Sequence, residues 1–144
     1  RGPVGTRARD LRFLRQGVRQ RGVRPDVGKK RIVSLAEWQF GEGGGSYCRD
    51  SCRRQYCGGE GEPCPFDQHA PKTPQGRRVW DILDACAGQL RSSGFGAFAL
   101  DYGAVVAFAQ LGGPMDEATR LLMSEALPLV EGQIIKGLRR EDEE

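Results

Sequence analysis

The sequence predicts a mainly α-helical protein, in which a small domain of three to four helices follows a largely irregular N-terminal region. Apolar residues recur at helical spacing over a long stretch only after Gly76. The 144 residues include 21 glycines and eight prolines, and hydrophobic residues make up 38%, against about 45–50% in an ordinary globular chain. We therefore expect a basic, mostly flexible arm over residues 1–40, a Gly/Cys/Pro-rich loop segment or linker over 41–76, and a compact helical domain over 77–140.

The charge of the chain changes sign along its length. Residues 1–40 carry eleven Lys and Arg against three acids, whereas residues 77–144 carry seven against eleven. A basic arm before an acidic body is typical of a tail that contacts a polyanion or an acidic partner, or of one that is simply solvated. Phe13 is the one aromatic residue before Trp38, so nucleic-acid binding through residues 1–31 is expected to be non-specific and sensitive to salt.

Short-range signals within the arm allow at most short helices. A helical stripe of apolar residues runs over residues 11–18, and glycines interrupt its extension. Ser34 followed by Glu37 matches the capping box, in which each side chain bonds a backbone N–H at a helix start. We expect a helix of one or two turns to begin there and the glycine run at residues 41–45 to end it.

Four cysteines form the one cluster with evident chemistry. Cys48, Cys52, Cys57 and Cys64 lie within seventeen residues, and His69 follows them. Four thiolates that converge on one ion are typical of a structural Zn²⁺ site, and His69 is able to replace one of them. The spacing lacks the C-x2-C pair of common zinc modules, so disulfides and reduced, unligated thiols stay open as alternatives. Zn²⁺ is the one cofactor that the sequence suggests.

The second half of the chain reads as successive helices. One helix is expected around residues 79–90, with glycine-containing turns over residues 92–96. A second runs from about Asp101, as its cap, to Leu111, with Tyr102 and Val106 facing inward beside Val105 and Ala109. A third starts near Asp116 or Glu117, and Pro128 either kinks it or begins a fourth. We expect Cys86 to be a buried small hydrophobe, together with a core of Trp80, Leu83, Leu90, Leu100, Val105, Leu121, Leu122 and Val130.

Residues suited to catalysis are scarce. The chain has one His, and its glycine runs lack the Gly-Lys-Ser/Thr of a phosphate-binding loop. A membrane span needs about 18 consecutive apolar residues, which the sequence does not contain, and residues 1–10 lack the apolar core of a secretory signal. We predict a non-enzymatic protein without membrane contact. A start at Arg1 instead of Met is expected of a fragment, a processed product or a frameshifted reading.

Several runs in the helical part resemble one family of proteins. They are residues 79–91, which are led by Val79-Trp80 and end in Gln89-Leu90-Arg91, then Gly94-Phe95-Gly96, Leu100–Val106 and Glu125–Gly132. This pattern, over roughly residues 76–138, resembles small proteins of phage and prophage tail operons that act as tail assembly chaperones.

The resemblance implies binding of an amphipathic helical partner in the cytoplasm of a bacterial host, such as a tape-measure protein or a tube subunit. The alternative prediction is a zinc-stapled basic protein that binds nucleic acid non-specifically through residues 1–31.

Overall fold

A computed structural model of the protein describes residues 25–41, 43–44, 47 and 64–144. The described residues form five α-helices, one π-helical turn and one antiparallel β-hairpin, so the prediction of a mainly α fold is confirmed. Within these residues no helix has the length and apolar character needed to cross a membrane. The elements are α1 (Pro25–Ala36), which continues into the π-helical turn (Glu37–Gly41), α2 (Pro65–His69), α3 (Pro74–Ala85), β1 (Leu90–Ser93), β2 (Gly96–Leu100), α4 (Tyr102–Leu111) and α5 (Glu117–Glu143).

The core lies where α1 and α3 pack against the long helix α5. Ile32 and Leu35 from α1, Val79 and Leu83 from α3, and Val130 from α5 are completely buried. Burial of a side chain of this size stabilises a fold by about 1.5–3 kcal/mol. Three helices that each contribute such residues therefore supply most of the hydrophobic stabilisation.

Most of the predicted core is confirmed, with two exceptions. Leu90 is only half-buried. The prediction that Leu121 is buried is wrong, because half of its surface is exposed. Cys86 is buried as predicted, and burial raises the pKa of its thiol because the charged thiolate loses solvation. The buried members of the predicted core are Trp80, Leu83, Leu100, Val105, Leu122 and Val130.

Helix α1 corrects the extent of the predicted basic arm. The helix begins at Pro25, a residue whose fixed φ suits a first turn, so Ser34 lies inside it and does not cap a new helix. Arg31 donates hydrogen bonds to the carbonyls of Ala70 at 2.9 Å and Gln68 at 3.0 Å. Residues 25–41 thus belong to the helical domain, because tertiary contacts bury Ile32, Leu35 and Ala36.

Helix α3 begins earlier than the boundary predicted at residue 77. The Thr73 hydroxyl accepts a hydrogen bond from the Gly76 amide at 3.0 Å, and Pro74 occupies the first turn. A Thr cap followed by Pro is a strong helix start. The structured C-terminal part accordingly extends back through α2 to residue 64.

A β-hairpin replaces the turns that were predicted over residues 92–96. Strands β1 and β2 pair antiparallel, with Leu90 opposite Leu100 and Ser93 opposite Gly96. Gly96 has a φ of 107°, a conformation that side chains disfavour. The register shifts after Arg91, so that Phe98 is an extra residue on β2. A bulge of this kind changes the direction of a side chain, and it bears on the surface described below.

Helix α5 starts as predicted and passes without a break through Pro128. Asp116 accepts a hydrogen bond from the Thr119 amide at 2.7 Å, and bonding with Thr119 lowers the pKa of the carboxyl. Proline in a helix interior costs about 3 kcal/mol, and burial of Ala126 and Val130 on either side of Pro128 offsets this cost. A separate fourth helix beginning at Pro128 is therefore not formed.

The π-helical turn crosses α5 very closely at Gly137. A Cβ atom at this position would overlap the carbonyl oxygen of Phe40. Next to it, Arg140 donates a hydrogen bond to the carbonyl of Gly41. The contact explains the buried glycine near the end of a long helix.

Replacement of Leu83 by Ala should lower the free energy of unfolding by about 2–5 kcal/mol, because shortening a buried leucine side chain leaves a cavity in the core. The matched control is Leu121→Ala on the half-exposed leucine of α5, for which we expect a much smaller loss. Urea unfolding followed by circular dichroism measures both. Equal losses for the two variants would contradict the packing.

Replacement of Gly137 by Ala should destabilise the protein by about 1–3 kcal/mol, the usual result of overpacking. Gly132→Ala on the same helix is the control, since nothing lies within 4 Å of its added Cβ, and the alanine should stabilise the helix. Thermal unfolding distinguishes them, and a Gly137→Ala melting temperature at or above that of the parent would contradict the close crossing.

Candidate protein-binding surface

Helix α4 is apolar on every side but is buried along only a narrow edge. Its ten residues, YGAVVAFAQL, include no charged side chain, and only Val105 and Ala109 are buried. Val106 is 55% exposed, Phe108 43% and Leu111 83%. A helix that is apolar all round is normally covered by other elements. The described residues leave most of this one open.

The exposed residues of α4 form one continuous surface. At about 100° per residue, they extend around the helix from Tyr102, which lies next to the buried edge, and Gln110 lies between Val106 and Ala107 on the side away from Val105. Small residues alternate with large ones along this side, so that a second helix could approach the backbone closely. We call this the α4 surface; it consists of Tyr102, Gly103, Val106, Ala107, Gln110 and Leu111.

Polar contacts fix both ends of α4. At its N-terminus Asp101 accepts a hydrogen bond from the Ala104 amide at 3.1 Å, as the sequence predicted. At its C-terminus the guanidinium of Arg78 donates to the carbonyls of Gly113 at 2.7 Å and Pro114 at 2.9 Å. Gly113 has a φ of 85°, which permits the chain to turn there. The helix is therefore held at both ends, and the part of the chain that the structure describes leaves most of its side open.

Glu131 of α5 connects the hairpin and α4 to the core. One carboxylate oxygen accepts a hydrogen bond from the Leu100 amide at 2.9 Å, and the other accepts from the Tyr102 hydroxyl at 3.2 Å. Partial burial raises the pKa of Tyr102, and the negative charge and hydrogen bond of Glu131 raise it further. The contact orients Tyr102 along the edge of the α4 surface.

The tip of the hairpin presents a further large apolar side chain. Phe95 is completely exposed in the loop between β1 and β2. Phe98 on β2 is 48% exposed, and the guanidinium of Arg91 lies 5.4 Å from the centre of its ring. Exposed aromatic residues are enriched where proteins bind other proteins. The hairpin and α4 together carry much of the exposed apolar surface.

The predicted metal ligands fall mostly outside the described residues. Cys48, Cys52 and Cys57 lie there, whereas Cys64 is a buried free thiol immediately before α2. Among the residues that the structure describes, no group of three or more His, Cys, Asp or Glu is placed to hold a metal ion. The four-cysteine Zn²⁺ site remains a prediction.

His69, the proposed substitute ligand, has structural contacts in α2. Its Nδ1 is hydrogen-bonded to the Ser34 hydroxyl at 2.8 Å. Its ring stacks on Trp38, with 5.9 Å between centroids and 16° between planes. These contacts join α2 to α1 and the π-helical turn.

Three basic residues predicted to lie in the arm are on α1. Arg31 bonds the end of α2, as described above, and Lys29 pairs with Glu125 of α5 at 4.0 Å. Lys30 is exposed on the same helix. Residues 1–24 lie outside the described part of the chain, and nucleic-acid binding through residues 1–31 remains a prediction.

The expectation that Tyr102 and Val106 face the core is wrong. Apolar residues at helical spacing usually face the core, and this rule predicts both side chains inward. In α4, however, the spacing has no polar side to define an outward direction, since Gln110 is its one strongly polar residue. The feature of the sequence that corresponds to this exposed apolar side is the lack of a polar face in α4.

Comparison of the chain with family models, curated proteins and solved structures gives no match.

Replacement of Glu131 by Gln should move the pKa of Tyr102 partway back toward its ordinary value, because the negative charge is lost while burial stays. A raised tyrosine pKa stabilises the fold below the unfolded value of about 10, and this stabilisation is lost as pH rises through the folded value. Spectroscopic titration of tyrosinate measures it, with Tyr102→Phe to assign the signal. An unchanged Tyr102 titration would contradict the contact.

Proposed function

We propose that the protein is a non-enzymatic binding module that holds an amphipathic helix of a partner protein against the α4 surface. One observation carries the proposal: α4 lacks a polar face, and yet only Val105 and Ala109 are buried. Contiguous exposed apolar surface on a folded protein commonly marks a site of interaction. A helix is the partner that best matches the side of another helix.

The α4 surface has the features of helix-on-helix recognition. Val106 and Leu111 are large and exposed, and Gly103 and Ala107 beside them are small. An amphipathic partner helix places apolar anchors at i, i+3, i+4 and i+7, which fit between such residues. Since α4 carries no charge, the affinity should come from apolar burial.

The resemblance to tail assembly chaperones supplies a candidate partner. A tape-measure protein is long and helical and has an apolar side that needs cover until tube subunits assemble around it. A small module with an uncovered apolar helix could hold such a segment and release it when tube subunits compete. In this proposal the partner helix takes the place of the missing cover on α4.

The proposal is tested with a dye-labelled synthetic helix that carries Leu at i, i+3, i+4 and i+7. We expect the parent protein to bind it, and Val106→Asp and Leu111→Asp each to weaken binding by about tenfold or more, because a charge then replaces an apolar anchor. Fluorescence anisotropy gives the affinity. Circular dichroism confirms that the variants fold.

The matched control is Leu129→Asp on α5. Leu129 is 45% exposed, and it lies one helical turn from Glu125, which pairs with Lys29 of α1. We expect this variant to bind like the parent. Equal loss in all three variants would contradict a role for α4, as would a parent that binds no helix and sediments as a dimer that Val106→Asp dissociates.

A further inference from the structure

We infer that a groove between the β-hairpin and the C-terminal half of α5 is a separate docking site for an acidic peptide segment that carries a large apolar side chain. The groove has a volume of about 470 Å³. Its lining combines apolar residues with three basic and two acidic ones. The residues that argue for the site are Phe98, Gly132, Ile135, Lys136 and Arg139; we call it the hairpin groove.

Two large apolar side chains line the hairpin groove, and Phe98 is the more exposed of them. The bulge in the hairpin makes Phe98 the extra residue of β2, and this residue lines the groove opposite α5. Ile135 lines the groove with most of its side chain already packed in the fold. An apolar side chain of a ligand can therefore contact Phe98 without displacing a core residue.

Gly132 lacks a structural reason within the described part of the chain. It lies in the interior of α5, where glycine is less favourable than alanine. No atom lies within 4 Å of the position that a Cβ would take. Gly137 on the same helix is different, because Phe40 packs against it. An open glycine in the wall of a groove allows the backbone of a ligand to come close.

Basic side chains define the charge of the ligand. Lys136 and Arg139 line the groove, and neither makes a hydrogen bond or ion pair among residues 25–41, 43–44, 47 and 64–144. Two acids line it as well, but Glu131 already accepts hydrogen bonds from Leu100 and Tyr102. Glu143 lies near the end of α5. The cations without partners complement a segment that has carboxylates beside its apolar anchor.

A peptide suits the groove better than a nucleic acid does. Single strands bind through aromatic rings on which successive bases stack, whereas Phe98 is the one aromatic residue that lines the groove. The carboxylates of Glu131 and Glu143 also repel a continuous phosphate backbone. An acidic peptide has few carboxylates, so it can place them next to Lys136 and Arg139 and away from Glu131 and Glu143.

The hairpin groove is distinct from the α4 surface. Glu131 lines the groove and contacts Tyr102 at the edge of α4, but Val106 and Leu111 are not among the lining residues. The inference therefore does not depend on the proposed function. Variants at the two places separate failure of one from failure of the other.

The test uses a dye-labelled peptide of alternating Glu and Leu with a central Phe, and a counterpart with Lys in place of Glu. We expect the full-length protein to bind the acidic peptide more tightly, and added salt to weaken this binding. The double variant Lys136→Glu/Arg139→Glu should weaken it by about tenfold or more, because attraction becomes repulsion. Arg120→Glu, on an exposed arginine of α5 outside the groove, should leave it unchanged.

A second variant separates lost binding from lost folding. Gly132→Leu introduces a good helix former into α5 and fills the open space, so the melting temperature should be maintained or raised while peptide affinity falls. Unchanged affinity in this variant would overturn the inference, as would a parent that binds neither peptide. Tighter binding of an oligothymidine strand that is lost in the double variant would overturn it in favour of a nucleic-acid site.

Discussion

The burial of α5 against α1 and α3 is the interaction on which the rest of the structure depends. Ile32, Leu83 and Val130 meet there without exposure to solvent. Because α5 is 27 residues long, it extends past this contact to the π-helical turn, where Gly137 meets Phe40. The same helix forms one wall of the hairpin groove. A shorter α5 would leave the core largely intact but remove both features.

The hairpin and α4 are joined to this core by few contacts. Leu100 and Val105 are buried. The Glu131 carboxylate accepts hydrogen bonds from the Leu100 amide of the hairpin and the Tyr102 hydroxyl of α4. Arg78 holds the far end of α4 through the carbonyls that follow it. Polar contacts at the two ends thus set the direction of an apolar helix and leave its side open. This arrangement costs exposed apolar surface, and a bound partner would recover that stability.

The two candidate surfaces rest on different physical chemistry. The α4 surface has no charge, so the selection of a partner there depends on shape and apolar area. In the hairpin groove, Lys136 and Arg139 make the charge of the ligand part of the selection. Glu131 lies between the two and bonds to Tyr102. The two proposals therefore assign ligands of different chemistry to adjacent positions on one small helical domain.

Local signals in the sequence identified the helical class and several elements. Asp101 caps α4 and α5 starts next to Asp116, both as predicted, because helix starts depend on residues within one turn. Leu83 and Cys86 are buried as predicted because α3 has a clear apolar side. For the predicted Zn²⁺ ligands, the described structure includes only Cys64, so the sequence remains the basis for that site.

Tertiary structure decided the features that lack a local signal. Helix α1 is part of the core only because α5 covers its few apolar residues, and Pro128 remains helical because its neighbours are buried. Tyr102 and Val106 face outward although their spacing agreed with burial. In a helix with no polar side, amino-acid sequence does not specify which side is buried. That choice depends on which other elements are close enough to pack against it.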